Sequence, residues 1–586
     1  MTELSLLGAL PTFVGNWLTP IWILSVGALA GLVILLVVWG VAFALSRIVA
    51  IGRLAEDAKK RTVAIPAFSA LAFLALLAVV LPRVAAREAG NDTESMAIAA
   101  LILVPIALLI GLALVWFTSR RTVAEVPQAV REGPLWWIFI VTVTLSVFAF
   151  VGLAIAMQPQ EILRSVLRLP ASGDRTLSFT IPATSADVLE DESRDPEQHE
   201  VNVNINTDEL YAFQLTSDQT ITVDTRSGDA IDLEPLFEAA PGNDYTWVRQ
   251  QNQGTPFDVD QVKSFYIRNY GLEDAHLKLK LHVRPKHPEA SLIPMTAFSV
   301  VAVFLLYILQ RSAMPKMSAI ALATIKSEMA QPLFLIIMLL GVFALVAFVY
   351  IPYNTFGEDI KMLKDSSMVL IKVLCIIQAV WAASTSVSEE IEGRTALTVL
   401  SKPLRRRSFV LGKYLGIFWT VAVIFIVLGV FLMLVVAYKP IYDARETSQE
   451  EPIWQVCYFE MAGVVPGLVL GFMETAILAA ISVAISTRLP MLANFIICFA
   501  IYVIGHLTPL LVQVSVGGGM FEAVVFVAQL LSTVFPVLDH FSIEAAVAGG
   551  APVPYDYLGW ALLYTLIYGM IALLLALVLF EDRDLA

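Results

Sequence analysis

Long apolar runs separated by short polar breaks make up most of this chain. Runs fall at about 21–45, 65–82, 97–117, 135–157, 292–309, 332–351, 367–387, 411–437, 466–486, 491–512 and 556–580. Crossing a bilayer as a helix takes roughly 20 mostly apolar residues, and most of these runs reach or approach that length. Only helices and closed barrels satisfy their backbone inside lipid, and continuous apolar runs are not the alternating pattern of a barrel strand. The pattern predicts a polytopic α-helical membrane protein with about 11 transmembrane helices.

Two apolar segments do not fit as spans. In "KMSAIALATIKSEMAQ" (316–331), Met317, Ile320, Ala321, Thr324, Ile325 and Met329 gather near one helical face, as in a helix lying along the interface. "MFEAVVFVAQLLSTVFP" (520–536) is short, carries Glu522 and ends at Pro536, which predicts a re-entrant or interfacial piece.

The periodicity changes between residues 158 and 291. "TLSFTIP", "VNVNI", "AFQLTS", "TITVDT", "SFYIRNY" and "LKLKLHV" have strand texture. In the last, Leu277, Leu279, Leu281 and Val283 alternate with Lys278, Lys280 and His282, the period of a half-buried strand. A turn is expected at Ser217 and Asp218. The segment reads as a β-sandwich-like insert, with an acidic stretch "LEDESRDPEQHE" near its start.

Composition agrees: 58% of residues are apolar and only 15% charged. The net charge of −13 is concentrated in the insert, where 23 Asp or Glu face 12 Lys or Arg. A nucleic-acid partner would need a basic surface, so that class is excluded. Cys375 and Cys498 fall in spans and Cys457 in a loop, with no disulfide framework. The first apolar run is too long for a signal-peptide core and lacks a basic region before it.

Lysine and arginine in short loops set orientation. With the N-terminus outside, 19 basic residues fall inside and six in the short outer loops, so the reading is N-out and C-in. The insert is then extracytoplasmic. Four regions follow: an N-terminal four-helix part (1–157), the β-rich insert (158–291), a fifth span with a cytoplasmic linker (292–315), and a six-helix part (316–586).

One inside loop is unusual. "SVSEEIEGRTALTVLSKPLRRRSFVLGKYLG" (386–416) packs three glutamates and six basic residues between two spans. Topology alone would account for the arginines, but not for the glutamates, Gly393 or the short mixed helix ended by Lys402-Pro403. Charges of both signs on a protruding helix suit docking into a cleft on a soluble partner.

This stretch resembles the cytoplasmic coupling loop of type-2 ABC transporter permeases, including the permease of the nitrous-oxide-reductase maturation system. "ALATIKSEMAQPLF" is similar to that family's elbow helix and first span, and "FPVLDHFSIEAAVAG" to its outer re-entrant region, so the likeness covers about 316–586. It implies six spans per permease half, a second permease subunit, and a separate ATPase subunit docking on the loop in a bacterial plasma (inner) membrane. By position, Glu389, Glu390, Glu392, Gly393, Arg394, Ser401, Lys402, Pro403 and Arg405 would form the docking surface. Residues 1–311 carry no such likeness.

A phosphate-cradling G-x-x-x-x-G-K-[ST] loop is missing: before Gly412-Lys413 stands Arg407 where glycine is needed, and Tyr414 follows where Ser or Thr is needed. The chain is therefore not expected to be an enzyme, and no cofactor is expected on it; ATP and Mg²⁺ would belong to the partner ATPase. No metal site is expected. His276, His282 and His287 lack spaced acidic or Cys ligands and read as solvated positions on or beside a strand.

Inside the spans, Glu474 stands near mid-depth, where a carboxylate is costly. It marks a translocation path, a partner or proton coupling, or else it is a protonated Glu bonded to a neighbouring helix. Lys372 is expected to snorkel from the outer end of its span. His506 and Pro509 read as a packing and kink pair. Gly463, Gly467 and Gly471 offer one bare helix face for close packing, and Gly27 and Gly31 another.

The leading expectation is the permease subunit of an ABC-type exporter. The alternatives are a proton-coupled secondary transporter using Glu474, and a non-transporting scaffold or sensor whose outer domain binds a ligand.

Overall fold

The apolar runs become helices in the computed structural model. It describes the chain apart from residues 1–11, 49–56, 88–102, 105–106, 109, 170–171, 186–195, 226–235, 243, 250–256, 258–260, 352, 354–357, 391–404, 518–521 and 582–586. Among the described residues, 10 helices are long and apolar enough to span a membrane. Of the expected span at 97–117, residues 97–102, 105–106 and 109 lie outside the described residues, and its last part, 110–117, is helical. The acidic stretch near 189–195 also lies outside them.

The chain divides into two compact units. One comprises residues 1–55, 116–157 and 292–586, and the other residues 56–115 and 158–291.

In the first unit the helices are α1 (Thr12–Arg47), α3 (Arg120–Arg131), α4 (Pro134–Gly152), α6 (Leu292–Ala313), α7 (Pro315–Ala330), α8 (Pro332–Tyr350), α9 (Asp359–Ala383) and α10 (Arg406–Glu446). They are followed by α11 (Trp454–Gly463), α12 (Val465–Ser486), α13 (Met491–Gly517), α14 (Glu522–Val534), α15 (Glu544–Ala548) and α16 (Tyr555–Glu581). A π turn, Ser384–Glu389, ends α9. Cys457 lies in α11 and is buried, not in a loop as expected, because the chain before Gly463 is already helical.

Proline sets several starts. Pro315 and Pro332 occupy the first turns of α7 and α8, where a missing N–H costs nothing. Gln331, just before Pro332, is extended at φ −73° and ψ 144°, so the amphipathic helix and the following span are separate rods. The apolar face predicted for α7 is the packed one: Ile320, Ala321, Thr324 and Ile325 are buried, with Met317 and Met329 at its margins.

Glycines let these rods approach. A Cβ on Gly412 would stand 2.8 Å from the Ile320 Cβ, and one on Gly416 would stand 2.7 Å from the Thr324 Cβ. Thus α7 lies against the first turns of α10. Likewise, Gly27 and Gly31 of α1 bring α6 close, at 2.7 Å from the Thr296 Cβ and 3.0 Å from the Val300 Cβ.

The second unit holds α2 (Ala58–Arg87), α5 (Pro159–Arg168) and eight strands. These are β1 (Gly173–Ile181), β2 (His199–Asn206), β3 (Leu210–Ser217), β4 (Ile221–Asp224), β5 (Phe237–Ala239), β6 (Tyr245–Val248), β7 (Gln261–Asn269) and β8 (Ala275–Val283). They form two antiparallel four-stranded sheets, ordered β1-β8-β3-β6 and β2-β7-β4-β5. The alternation in β8 has the predicted outcome: Leu277, Leu279 and Leu281 are buried while Lys278 and Lys280 are exposed. The turn at Ser217 and Asp218 is closed by side chains. The Ser217 hydroxyl accepts from the Gln219 N–H at 3.2 Å, and Asp218 accepts from the His276 N–H at 2.6 Å.

The three histidines take separate roles. His276 is exposed, His282 pairs with Asp174, and His287 is buried with its ring 3.4 Å from Glu161. Burial of His287 departs from the expected solvated position, because the loop after β8 folds onto α5. Hydrogen bonds from Lys286 and His287 hold the Glu161 carboxyl below its ordinary range. Among the described residues, no group of three or more His, Cys, Asp or Glu could hold a metal ion.

Candidate functional site: a polar seam and a loop root

Helices α9 and α12 run against each other, and polar side chains collect along their contact. Near the start of α9, the buried Lys364 ammonium donates to Glu460 at 2.7 Å. Two turns on, Lys372 donates to Glu544 at 2.5 Å and stands 3.1 Å from Glu474. Deeper still, Gln378 is fully buried, and among the described residues neither of its amide atoms has a hydrogen-bond partner. The Asn494 amide nitrogen then lies 2.8 Å from the Ser482 and Ser384 hydroxyls and 2.9 Å from that of Ser486, its two hydrogens shared among the three. Ser388 closes the series by donating to the Leu489 carbonyl at 3.0 Å.

From Lys364 to Ser388 a helix rises about 36 Å at ~1.5 Å per residue, more than the roughly 30 Å of hydrocarbon in a bilayer. The seam therefore follows the whole membrane path of α9. Such groups are expensive in lipid and persist only when paired or when they line a route.

Lys372 does not snorkel. It is 2% exposed, because α15 folds back and places Glu544 against it. The sequence shows Lys372 and Glu474 as separate oddities more than 100 positions apart, and Glu544 as an ordinary loop carboxylate. What joins them is the returning chain: the Leu538 N–H donates to the Gly505 carbonyl at 3.1 Å, and Leu538 packs where a Gly505 side chain would stand. His506, next to that glycine, faces Glu474 at 3.4 Å, a role beyond packing and kinking.

The predicted packing glycines differ among themselves. A Cβ on Gly467 would meet the Met368 sulfur at 2.5 Å, and one on Gly471 would be in ordinary contact with Phe425 at 3.6 Å. Nothing lies within 4 Å of a Cβ on Gly463. Gly412 and Gly416, which the sequence reading did not single out as packing sites, make closer helix approaches than Gly471.

At the seam's far end lies the root of the charged loop. Lys413 of α10 donates to Glu390 at 2.6 Å, tying the loop's entrance to its exit. Beside this pair is a cavity of about 370 Å³ lined by Ser327, Glu328, Gln331, Thr385, Glu390 and Lys413. Its walls are fixed: Trp381 donates to Gln331 at 2.6 Å and Thr385 to Glu328 at 3.1 Å. Arg406 donates to the Phe580 and Glu581 carbonyls, capping the last turn of α16. Arg405 is exposed. Glu392, Gly393, Arg394, Ser401, Lys402 and Pro403 lie outside the described residues, as does the side chain of Glu389.

A bundle of this length with a buried polar seam and a rooted inter-span loop defines a multi-pass membrane transport protein. Residues 122–585 match the family model described as ABC-2 family transporter protein, and the chain belongs to that family. The match starts far earlier than residue 316, so the β-rich insert and the helices flanking it lie inside the family region. Among curated proteins, none matches the chain.

Proposed function

We propose that this chain is the membrane-spanning subunit of an ABC-type exporter, driven by a separate ATPase subunit that docks on residues 389–405. Membership of the ABC-2 family supports the permease role and association with an ABC ATPase. The observation that carries the coupling reading is the loop root. The Glu390–Lys413 pair, the clasp of α7 on Gly412 and Gly416, and the Arg406 cap join the loop's two ends to three helices. A push on the loop is then passed to α7, α10 and α16 together. In this reading the loop faces the cytoplasm, the N-terminus and the insert lie outside, and a second permease subunit completes the transporter.

Glu390 has an inward-facing partner, so its part is to hold the root while Glu392 and Arg394 meet the ATPase. The test is co-purification with a candidate ATPase and measurement of its stimulation. Glu392→Ala is expected to weaken binding about tenfold, the loss of roughly 1.4 kcal/mol at an interface. Lys413→Ala is expected to spare binding and reduce stimulation. Unchanged binding and stimulation in both variants would overturn the loop's assignment.

A further inference from the structure

The cluster at Lys372 has an imbalance that the transport reading does not use. Lys372 contributes one positive charge, while Glu474 and Glu544 contribute two carboxyl groups, with side-chain exposures of 3%, 0% and 5%. Glu544 is fully served: Lys372 lies at 2.5 Å and the Ser542 hydroxyl donates to its other oxygen at 3.0 Å. Glu474 is not. Its Oε2 lies 3.1 Å from the Lys372 ammonium, and among the described residues its Oε1 faces the His506 ring at 3.4 Å.

The ring's other nitrogen settles the tautomer. His506 Nδ1 lies 2.9 Å from the Tyr502 carbonyl oxygen, which can only accept, so Nδ1 carries a hydrogen. In a neutral ring Nε2 is then a bare lone pair. It would point at a carboxylate oxygen, two acceptors face to face in a buried site, and among the described residues neither atom has another hydrogen-bond partner. One proton between them removes the conflict, whether it rides on the carboxyl or on the ring. The same proton brings the four side chains to zero net charge, the state that costs least away from water.

We propose that a transferable proton lies between Glu474 Oε1 and His506 Nε2, making this cluster a proton-binding site in the middle of the bundle. The other groups facing it are Lys372 on α9, Glu544 on α15 and Tyr502 on α13, with Asp365 on α9 and Asp539 before α15 further out. When the proton leaves, Lys372 is shared between two full carboxylates. Its hold on Glu544 weakens, and with it the seating of the returning segment 538–548. Proton occupancy and closure of that segment are thus linked. The inference does not depend on the ATPase reading, since it needs no partner.

The whole chain, purified and reconstituted in lipid discs, carries the test. Infrared spectra would report a neutral carboxylic acid, and nitrogen NMR of labelled histidine would report an imidazolium. At neutral pH one of the two signals is expected, with the acid band lost in Glu474→Gln or the imidazolium signal lost in His506→Gln. Hydrogen exchange at the Val547 and Gly549 amides, corrected for intrinsic rates, is expected to speed up in alkaline buffer. The expected gain approaches tenfold for each pH unit over which the closed cluster holds the proton and the opened one does not, and it levels off once the closed cluster has lost it. Glu474→Gln, whose amide donates to Nε2 permanently, should abolish that pH dependence. An ionised Glu474 beside a neutral His506 in the wild-type spectra would overturn the proposal. Should Glu474→Gln not fold, the wild-type spectra and His506→Gln still decide it.

Discussion

Lys372 is the residue on which the seam turns. It has two carboxyl partners on two different elements, and it is sealed from solvent. Removing one member of such a group strands the rest, which is worse than never having had charges there. Lys372→Ala is therefore expected to lower stability by about 3–5 kcal/mol. Adding Glu474→Gln and Glu544→Gln to it should recover more than half of that loss. Denaturant titration in mixed micelles measures both, and equal losses in the single and triple variants would contradict the pairing. The sequence showed Lys372 and Glu474 as separate oddities, but not their pairing. A lysine near the end of a span has snorkelling as its ordinary fate, and only the fold-back of residues 538–548 gives it a buried partner instead.

At the scale of elements, the contact between α7 and α10 depends on two missing side chains. Gly416→Leu would drive its Cβ to 2.7 Å from Thr324 Cβ and 2.9 Å from the Ala321 carbonyl oxygen, where backbone cannot yield cheaply. A loss of about 1–3 kcal/mol is expected from such overpacking, with the amphipathic helix displaced. Gly463→Ala, with open space around it, should stay within about 0.5 kcal/mol of wild type. Thermal unfolding of the two variants side by side checks the pair; equal shifts would sink the argument. Helix identity was readable because apolar length alone selects a span. The apolar face of α7 was readable because Lys316 and Lys326 fall elsewhere, whereas the burial of Glu328 beside that face was not. Which glycines pack was not, since spacing on one helix says nothing about what stands opposite. Gly463 and Gly467 share a spacing and differ completely in surroundings.

At the scale of the molecule, the insert has a core of its own. Among the described residues, its buried cluster is made of residues from Ile181 to Leu281, among them Phe213, Trp247 and Phe265. A segment spanning 172–285 is therefore expected to fold without the membrane helices and to melt cooperatively, followed by circular dichroism. Phe265→Ala should cost it about 3–5 kcal/mol. A soluble segment with no cooperative transition would show that the spans are needed. Six strands were evident from their texture, one of them by clear alternation, whereas β5 and β6, at three and four residues, are too short for a pattern to show. The reach of the family was also underestimated. Its most distinctive residues cluster near the loop, while α4, the span before the insert, is plain hydrocarbon with nothing to distinguish it. One consequence of the long helix α10 concerns leverage. From Arg406 to Lys439 it rises about 50 Å, so a swing of about 10° at its loop end would carry the other tip by about 9 Å. That tip is gripped by α1: Trp17 donates to the Leu434 carbonyl at 3.2 Å and its ring lies tilted against that of Tyr438 at 5.0 Å, and Arg445 sits 3.6 Å over the Phe13 ring. The first helix, which precedes the stretch matched by the family, would thus be the anvil against which the stroke is delivered.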